Sequence, residues 1–378
     1  MRSTPVKGHA KPTHTRHRLL MTADPIGGVW SYALTLAQAL EPFGIDIVLA
    51  TMGAPLQASQ RAAVQQLDNV TLFESTFKLE WMHEPWEEVE AAGAWLLELE
   101  KQVEPDAVHV NGYVHAALPW QCPVLIVGHS CVMSWYAAVK NMAPPAVWNR
   151  YRHAVTRGLR HAALVTAPTT AMLAALHTHY GTFAAAQAIP NGCQPHHGQL
   201  HRAAPGATEP FIFTAGRVWD EAKNIAALDH IATRLPWPVY VAGETRHPDG
   251  TDIHLRHVIS LGRLAPEAVA MWLRRATIFA LPARYEPFGL SALEAGLAGC
   301  TLVLGDIPSL REVWHDAAMF APPEQPEALE AALLSLIADA PRRHQLSHGA
   351  RVRAQQFTPE RMAQGYMTLY RQLIGNSA

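Results

Sequence analysis

Short, unbroken apolar runs recur along this chain, and helical patterns separate them. In the first half the runs are HRLLMTA, IDIVLAT, VTLFES, DAVHVNG, PVLIVGHS and ALVTAP. In the second half they are PFIFTAGR, PVYVAGE, HVISLG, ATIFALPA, TLVLGD and AAMFAP, and a new strand is expected to start at Phe211. Continuous rather than alternating apolar character predicts parallel strands covered on both faces. Stretches such as SYALTLAQAL and PEAVAMWLRRA carry the helical period between them. Each half therefore reads as a βα repeat. The predicted fold class is α/β, with two doubly wound, Rossmann-like domains facing a central cleft.

Between the halves, residues 192–209 are rich in Gly, Pro and His and lack periodicity, as a linker does. The expected division is a mobile tail over 1–17, an N-terminal domain over 18–205, a C-terminal domain over 206–358 and a last segment over 359–378. TPERMAQGYMTLYRQLI, in that last segment, reads as a capped amphipathic helix.

A length of 378 residues suits two domains, and 49% hydrophobic with 16% charged residues suits a well-buried globular protein. The formal net charge of -2 does not point to a nucleic-acid surface. Cys122, Cys131, Cys193 and Cys300 are scattered without a C-x-x-C, so neither a disulfide framework nor a zinc site is indicated. Reduced thiols in a cytoplasmic protein are the simplest reading. The basic N-terminal stretch has no apolar core and does not read as a signal peptide. No run reaches the roughly 18 apolar residues of a membrane span, so membrane contact is expected to be peripheral at most.

In open parallel sheets ligands bind beyond the carboxyl ends of the strands. Polar and glycine residues gather there: Gly27 and Gly28, His129, Gly216 with Arg217 and then Lys223, Glu244, and Arg284 to Glu286. Arg217 and Lys223 are two cations suited to a diphosphate, although a pair of solvated charges is the plain alternative. In EPFGLSALEAGLAG, Pro287 suits the first position of a helix and Gly289 allows close backbone approach. Amides around Phe288, Gly289 and Leu290 are then expected to form a phosphate seat at the helix start.

Glu286 and Glu294 stand eight residues apart. On a helix that is roughly 12 Å. Hydrolytic carboxylate pairs sit closer, at about 5–5.5 or 6.5–9.5 Å, so the spacing argues against a glycosidase. It suits two acceptors gripping hydroxyls at opposite ends of one long polar ligand, a sugar and a ribose joined through phosphates.

Taken with TAGRVWDEAKN, DPIGGVW, VGHS and IPNG, the YEPFGLSALEAGLAG segment resembles the retaining glycosyltransferases of the GT-B fold, specifically glycosyltransferase family four. The resemblance runs from about His17 to the end of the chain. It implies that Arg217 and Lys223 hold the donor diphosphate, Glu286 the donor-sugar hydroxyls near the anomeric carbon, and Glu294 the ribose. It implies that Phe288, Gly289 and Leu290 lie near the phosphates and sugar, that His129 faces the donor sugar, and that Gly27 and Gly28 form a loop admitting phosphate and acceptor. Arg263, in SLGRL, resembles the segment lining the base. The last helix is implied to cross back onto the first domain.

The implied reaction moves a hexose from a UDP- or GDP-sugar to an unidentified acceptor hydroxyl, on a small molecule, a glycan or a lipid-linked acceptor. Neither a metal nor a cofactor is implied, and no nucleic-acid partner. The strand-end loops carry no Asp-x-Asp, and His177 and His179 fall on a predicted helix where they point to different faces. The segment GDIPSLREVW, with Asp306 and Pro308, departs from the adjacent glycines common at that place in the family. Seven of the eleven tryptophans lie in the first half, densest in FKLEWMHEPWEEV, where core, acceptor-binding and membrane-facing readings all stand. Other enzymes on the same fold, such as a nucleotide-sugar epimerase or a phosphorylase, are the competing class, and a non-catalytic nucleotide-sugar-binding protein is a third reading. A dinucleotide oxidoreductase is disfavoured, because DPIGGVW lacks the G-x-G-x-x-G spacing.

Overall fold

The computed structural model describes residues 16–183, 185–194, 209–246 and 250–375. Most of the expected tail and linker, and the expected boundary at 205, lie outside the described residues. The first sheet has the order β3-β2-β1-β4-β5-β6-β7. Its strands are β1 (His17–Ala23), β2 (Ile45–Thr51), β3 (Val70–Glu74), β4 (Ala107–Val110), β5 (Val124–Val127), β6 (Leu164–Ala167) and β7 (Ala186–Ala188). The second sheet has the order β10-β9-β8-β11-β12-β13. It comprises β8 (Ile212–Ala215), β9 (Val239–Ala242), β10 (Ile259–Ser260), β11 (Ile278–Leu281), β12 (Thr301–Gly305) and β13 (Met319–Ala321). Every pairing between these strands is parallel.

Every apolar run read as a strand forms one. β8 starts one residue later than expected, at Ile212. β7 has no counterpart among the predicted strands, because its sequence AQA carries no strand signal and it is largely exposed. Central strands such as β4, β5 and β11 are buried along their whole length, because helices cover both faces.

Strand order reverses between β1 and β4 in the first sheet and between β8 and β11 in the second. At each reversal neighbouring crossovers leave in opposite directions and open a crevice past the strand ends. The loops after β1, β4, β8 and β11 are thus the ones the topology leaves free to hold a ligand.

Helix Pro359–Gly375, although last in the chain, joins the core of the first sheet. Met362, Tyr366, Tyr370 and Leu373 are buried there with Leu36 and Leu40 of helix Gly28–Leu40. Fully burying side chains of this kind contributes about 1.5–3 kcal/mol each, which fixes the helix to that domain. Of the tryptophans in FKLEWMHEPWEEV, Trp86 packs against the core and Trp81 is exposed. Among the described residues, no helix is long and apolar enough to cross a membrane.

Candidate functional site

Apart from His129, which follows β5, and Arg263, which follows β10, the candidate residues sit at those two reversals. After β1 the chain enters helix Gly28–Leu40 through Gly27, whose φ of 82° suits a residue without a side chain. A Cβ at Gly27 would stand 4.0 Å from Arg217 Nη1, and one at Gly28 would stand 3.4 Å from Leu290 Cδ1. The Gly27–Gly28 loop of the first domain therefore faces the end of β8 and the helix after β11.

Arg217 and Lys223 are organised by one residue that the sequence reading overlooked, Asp220. Its Oδ2 accepts from Arg217 Nη2 at 2.8 Å, and its Oδ1 accepts from the Ala222 amide at 3.1 Å, capping the turn that carries Lys223. Asn224 closes the turn in the left-handed region and donates from Nδ2 to Pro282 O at 3.0 Å, tying it to the end of β11. Arg217 also lies 5.1 Å from the ring centre of Trp219. Gly216 lies against the Lys223 stem, 3.8 Å from where its Cβ would be.

Lys223 Nζ donates to Glu286 Oε2 at 2.5 Å, and both side chains are mostly buried, 17% and 13% exposed. The other Glu286 oxygen accepts the Gly289 amide at 3.1 Å. Glu286 is thus gripped on both oxygens, and one of the amides expected to face phosphate is engaged by it.

Pro287 does not occupy the first turn of the helix. The helix runs from Leu290 to Ala298, with Gly289 as its cap at φ 90°. Tertiary hydrogen bonds override the local preference of proline: Ser309 Oγ donates to Glu286 O at 2.5 Å, and Thr169 Oγ1 donates to Pro287 O at 2.9 Å. Phe288 turns inward, 2% exposed, with its ring 5.6 Å from that of Phe357, so only its backbone can face a ligand. In the departing GDIPSLREVW segment, Pro308 starts a helix, Asp306 pairs with Arg311, and Ser309 supplies the anchor for Glu286 just described.

Glu294 lies on the helix after this loop, partly buried. Burial raises its pKa to about 7, and Cys193 stands close enough to feel its charge. His129, after β5, is part-buried and donates from Nε2 to Asn111 Oδ1 at 2.8 Å, while the Tyr32 ring meets it edge-on at 4.5 Å. Burial lowers its pKa to about 3, so the ring is neutral. Asp24, after β1, accepts the Ile26 amide at 2.8 Å. Burial lifts its pKa to about 6, against the opposing effects of that amide and of the Arg217 charge.

A cleft of about 380 Å³ opens between the two domains, lined by Gly27, Gln57 and Gln60 on one side and by Arg217, Glu244 and Arg263 on the other. Asp24, Asn111 and Asp220 escaped the sequence reading, although all three follow strands and the strand-end rule was available to find them. Among the described residues no group of three or more His, Cys, Asp or Glu side chains is arranged to hold a metal ion.

Comparison with known proteins covers both halves. The family described as Glycosyltransferase Family 4 matches residues 26–197, and the one described as Glycosyl transferases group 1 matches residues 209–353. A D-inositol 3-phosphate glycosyltransferase of Jonesia denitrificans is 30% identical over 147 residues, covering 36% of this chain and 35% of that protein. The match thus spans about a third of the length of that curated relative. Sucrose-phosphate synthase from Thermosynechococcus elongatus superposes with a TM-score of 0.78 at 19% identity, over 96% of this chain and 100% of that one. Anabaena HepE in complex with UDP-glucose gives a TM-score of 0.72 at 17% identity, over 94% of this chain and 100% of that one. The two structures share the GT-B fold with this chain.

Proposed function

Because the chain belongs to the group 1 glycosyltransferases of family four, we propose that it moves a hexose from a UDP- or GDP-sugar to an acceptor hydroxyl, with retention at the anomeric carbon and without a metal ion. The observation that carries this reading is the convergence of Arg217, Lys223 and Glu286 from two neighbouring strand ends, directly opposite Gly27 and Gly28. A related fold binding UDP-glucose supports the donor class.

In this reading the diphosphate lies between Arg217, Lys223 and the backbone at Leu290, the Gly289 amide being held by Glu286. The bond from the anomeric carbon to the phosphate oxygen breaks, and its electron pair stays on the diphosphate. Two cations and helix-start amides stabilise that charge where it develops, and in many enzymes such fixed charges and dipoles account for most of the rate enhancement. The acceptor oxygen bonds to the same face of the carbon, and its proton passes to the departing phosphate oxygen. Glu286 holds sugar hydroxyls. Its two oxygens are already hydrogen-bonded, which blunts it as a nucleophile and favours this route over a covalent intermediate. Glu294 grips the ribose, and the cleft wall with Arg263 takes the base.

Calorimetry with bare UDP and GDP tests the orientation of the donor. Glu294→Ala is expected to weaken nucleotide binding by roughly tenfold to a hundredfold, the equivalent of losing about 1.5–3 kcal/mol of charged hydrogen bonding. Glu286→Ala is expected to leave it unchanged or slightly tighter, since Lys223 loses a competing partner. Equal weakening in both variants overturns the assignment.

A further inference from the structure

A polar chain leads from the C-terminal helix to His129. Tyr370, on helix Pro359–Gly375, brings its hydroxyl to 2.6 Å from His109 Nδ1. His109, on β4 and fully buried, places Nε2 3.2 Å from Asn111 Oδ1. The same Oδ1 stands 2.8 Å from His129 Nε2. Asn111 is itself fixed to β1: its Nδ2 donates to Thr22 O at 2.7 Å and its amide donates to Thr22 Oγ1 at 3.0 Å.

Those bonds determine where the hydrogens sit. The Asn111 Nδ2 bond to a carbonyl fixes the side-chain amide with its oxygen towards both imidazoles. An amide oxygen only accepts, so Nε2 of each ring must carry hydrogen. His109 Nδ1 is then bare and accepts from the Tyr370 hydroxyl. The Tyr32 hydroxyl stands 3.3 Å from the same His109 Nε2. Burial lowers the pKa of both histidines to about 3, which agrees with neutral rings holding one hydrogen each.

We propose that Asn111, fixed by Thr22, is a positioning residue that locks His129 as the Nε2–H tautomer, so that its Nδ1 presents a lone pair that accepts a hydrogen bond from a donor-sugar hydroxyl. The role given to Nδ1 rests on the transferase reading above; the tautomer rests on the geometry alone. His129 then orients the sugar as a neutral acceptor and supplies no proton.

The full chain, with 15N-labelled histidine, tests this by long-range 1H–15N spectra, with His129 assigned by its loss in His129→Gln. Wild type is expected to show His129 as a single Nε2–H tautomer, and Asn111→Ala to convert it to a mixture. Turnover of a nucleotide-sugar is expected to fall roughly tenfold to a hundredfold in Asn111→Ala, the scale of a small misplacement at a reacting centre. Tyr370→Phe, which leaves Asn111 on Thr22, should leave the His129 tautomer as in wild type. UDP affinity should stay within about twofold in both, because the nucleotide sits on the other domain, and loss of packing alone would not alter the His129 tautomer. An unchanged His129 spectrum in Asn111→Ala, or unchanged turnover, or a loss that tracks UDP affinity, overturns the proposal. Should Asn111→Ala not fold, the wild-type spectrum carries the test, since a His129 Nδ1–H tautomer or a mixture there overturns the proposal. If wild type turns over no nucleotide-sugar, the transferase reading fails, while the spectra still decide the tautomer.

Discussion

The Lys223–Glu286 pair permits a test that separates architecture from chemistry. Its 2.5 Å contact joins side chains only 17% and 13% exposed. Exposed ion pairs are worth about 0–1 kcal/mol, whereas removing one partner of a fully buried pair costs about 3–5 kcal/mol. This pair lies nearer the buried limit. Lys223→Ala should therefore destabilise the protein by about 3 kcal/mol, mostly because the Glu286 carboxylate is left without its cation. Glu286→Gln keeps the volume and the acceptor for the Gly289 amide, and should cost about 2 kcal/mol. In the double variant no charge is stranded, so the total should be about 3 kcal/mol rather than about 5, a coupling of about 2 kcal/mol. Urea unfolding of the four proteins, followed by far-ultraviolet circular dichroism, measures this cycle. Additivity within about 0.5 kcal/mol would refute the reasoning. The double variant should be about as stable as Lys223→Ala alone, and in the proposed reaction it should not transfer, since it lacks both the cation assigned to the diphosphate and the carboxylate assigned to the sugar.

Arg217→Ala should reduce turnover by roughly 10²–10³-fold with a modest fall in melting temperature, because Arg217 is 45% exposed and Asp220 keeps the Ala222 amide; turnover equal to wild type would remove Arg217 from the site. Incubation with EDTA should leave transfer intact, and loss of activity restored by manganese or magnesium would overturn the metal-free reading. Glu294, with its pKa raised from 4.5 to about 7, binds more protons folded than unfolded, so its contribution to stability should fall as pH rises between those values. Glu294→Gln should thus gain stability relative to wild type at pH 8, by on the order of 2–3 kcal/mol, and gain little at pH 4, which denaturation at the two pH values checks.

Legibility followed the range of the interactions involved. Strands such as IFAL in β11 were plain because both faces are buried and every side chain is apolar. β7 was not, since AQA pairs only through its backbone at a sheet edge. The strand-end rule finds Arg217, Lys223, Glu286 and His129 in loops that follow strands, because crossover topology fixes which loops converge. It gives no partners. Lys223 and Glu286 are 63 residues apart, and Tyr370 and His109 are 261 apart, so no local pattern ties them. Pro287 illustrates the opposite error: a sound local preference for helix starts yields to two hydroxyls, on Thr169 and Ser309, that reach its loop from other elements.

The residues on either side of Glu286 are held by the first domain. The Tyr285 hydroxyl accepts the Cys131 amide at 3.2 Å and meets Ser134 Oγ at 2.8 Å, and Pro287 O receives the Thr169 hydroxyl. Further along, Glu312 caps the helix Thr170–Tyr180, accepting the amides of Thr170 and Ala171 at 2.7 and 2.9 Å. Glu286 itself is held within its own domain by Lys223, Gly289 and Ser309, while the residues flanking it are braced by the first domain. Each of these contacts is worth on the order of 1 kcal/mol net, and polar interfaces of this type open more readily than apolar cores. A ligand that bridges the cleft adds its own contacts on both sides and so favours the arrangement in which the residues flanking Glu286 are braced. Such a ligand would act on the loop of Glu286 through the two residues that flank that carboxylate in sequence.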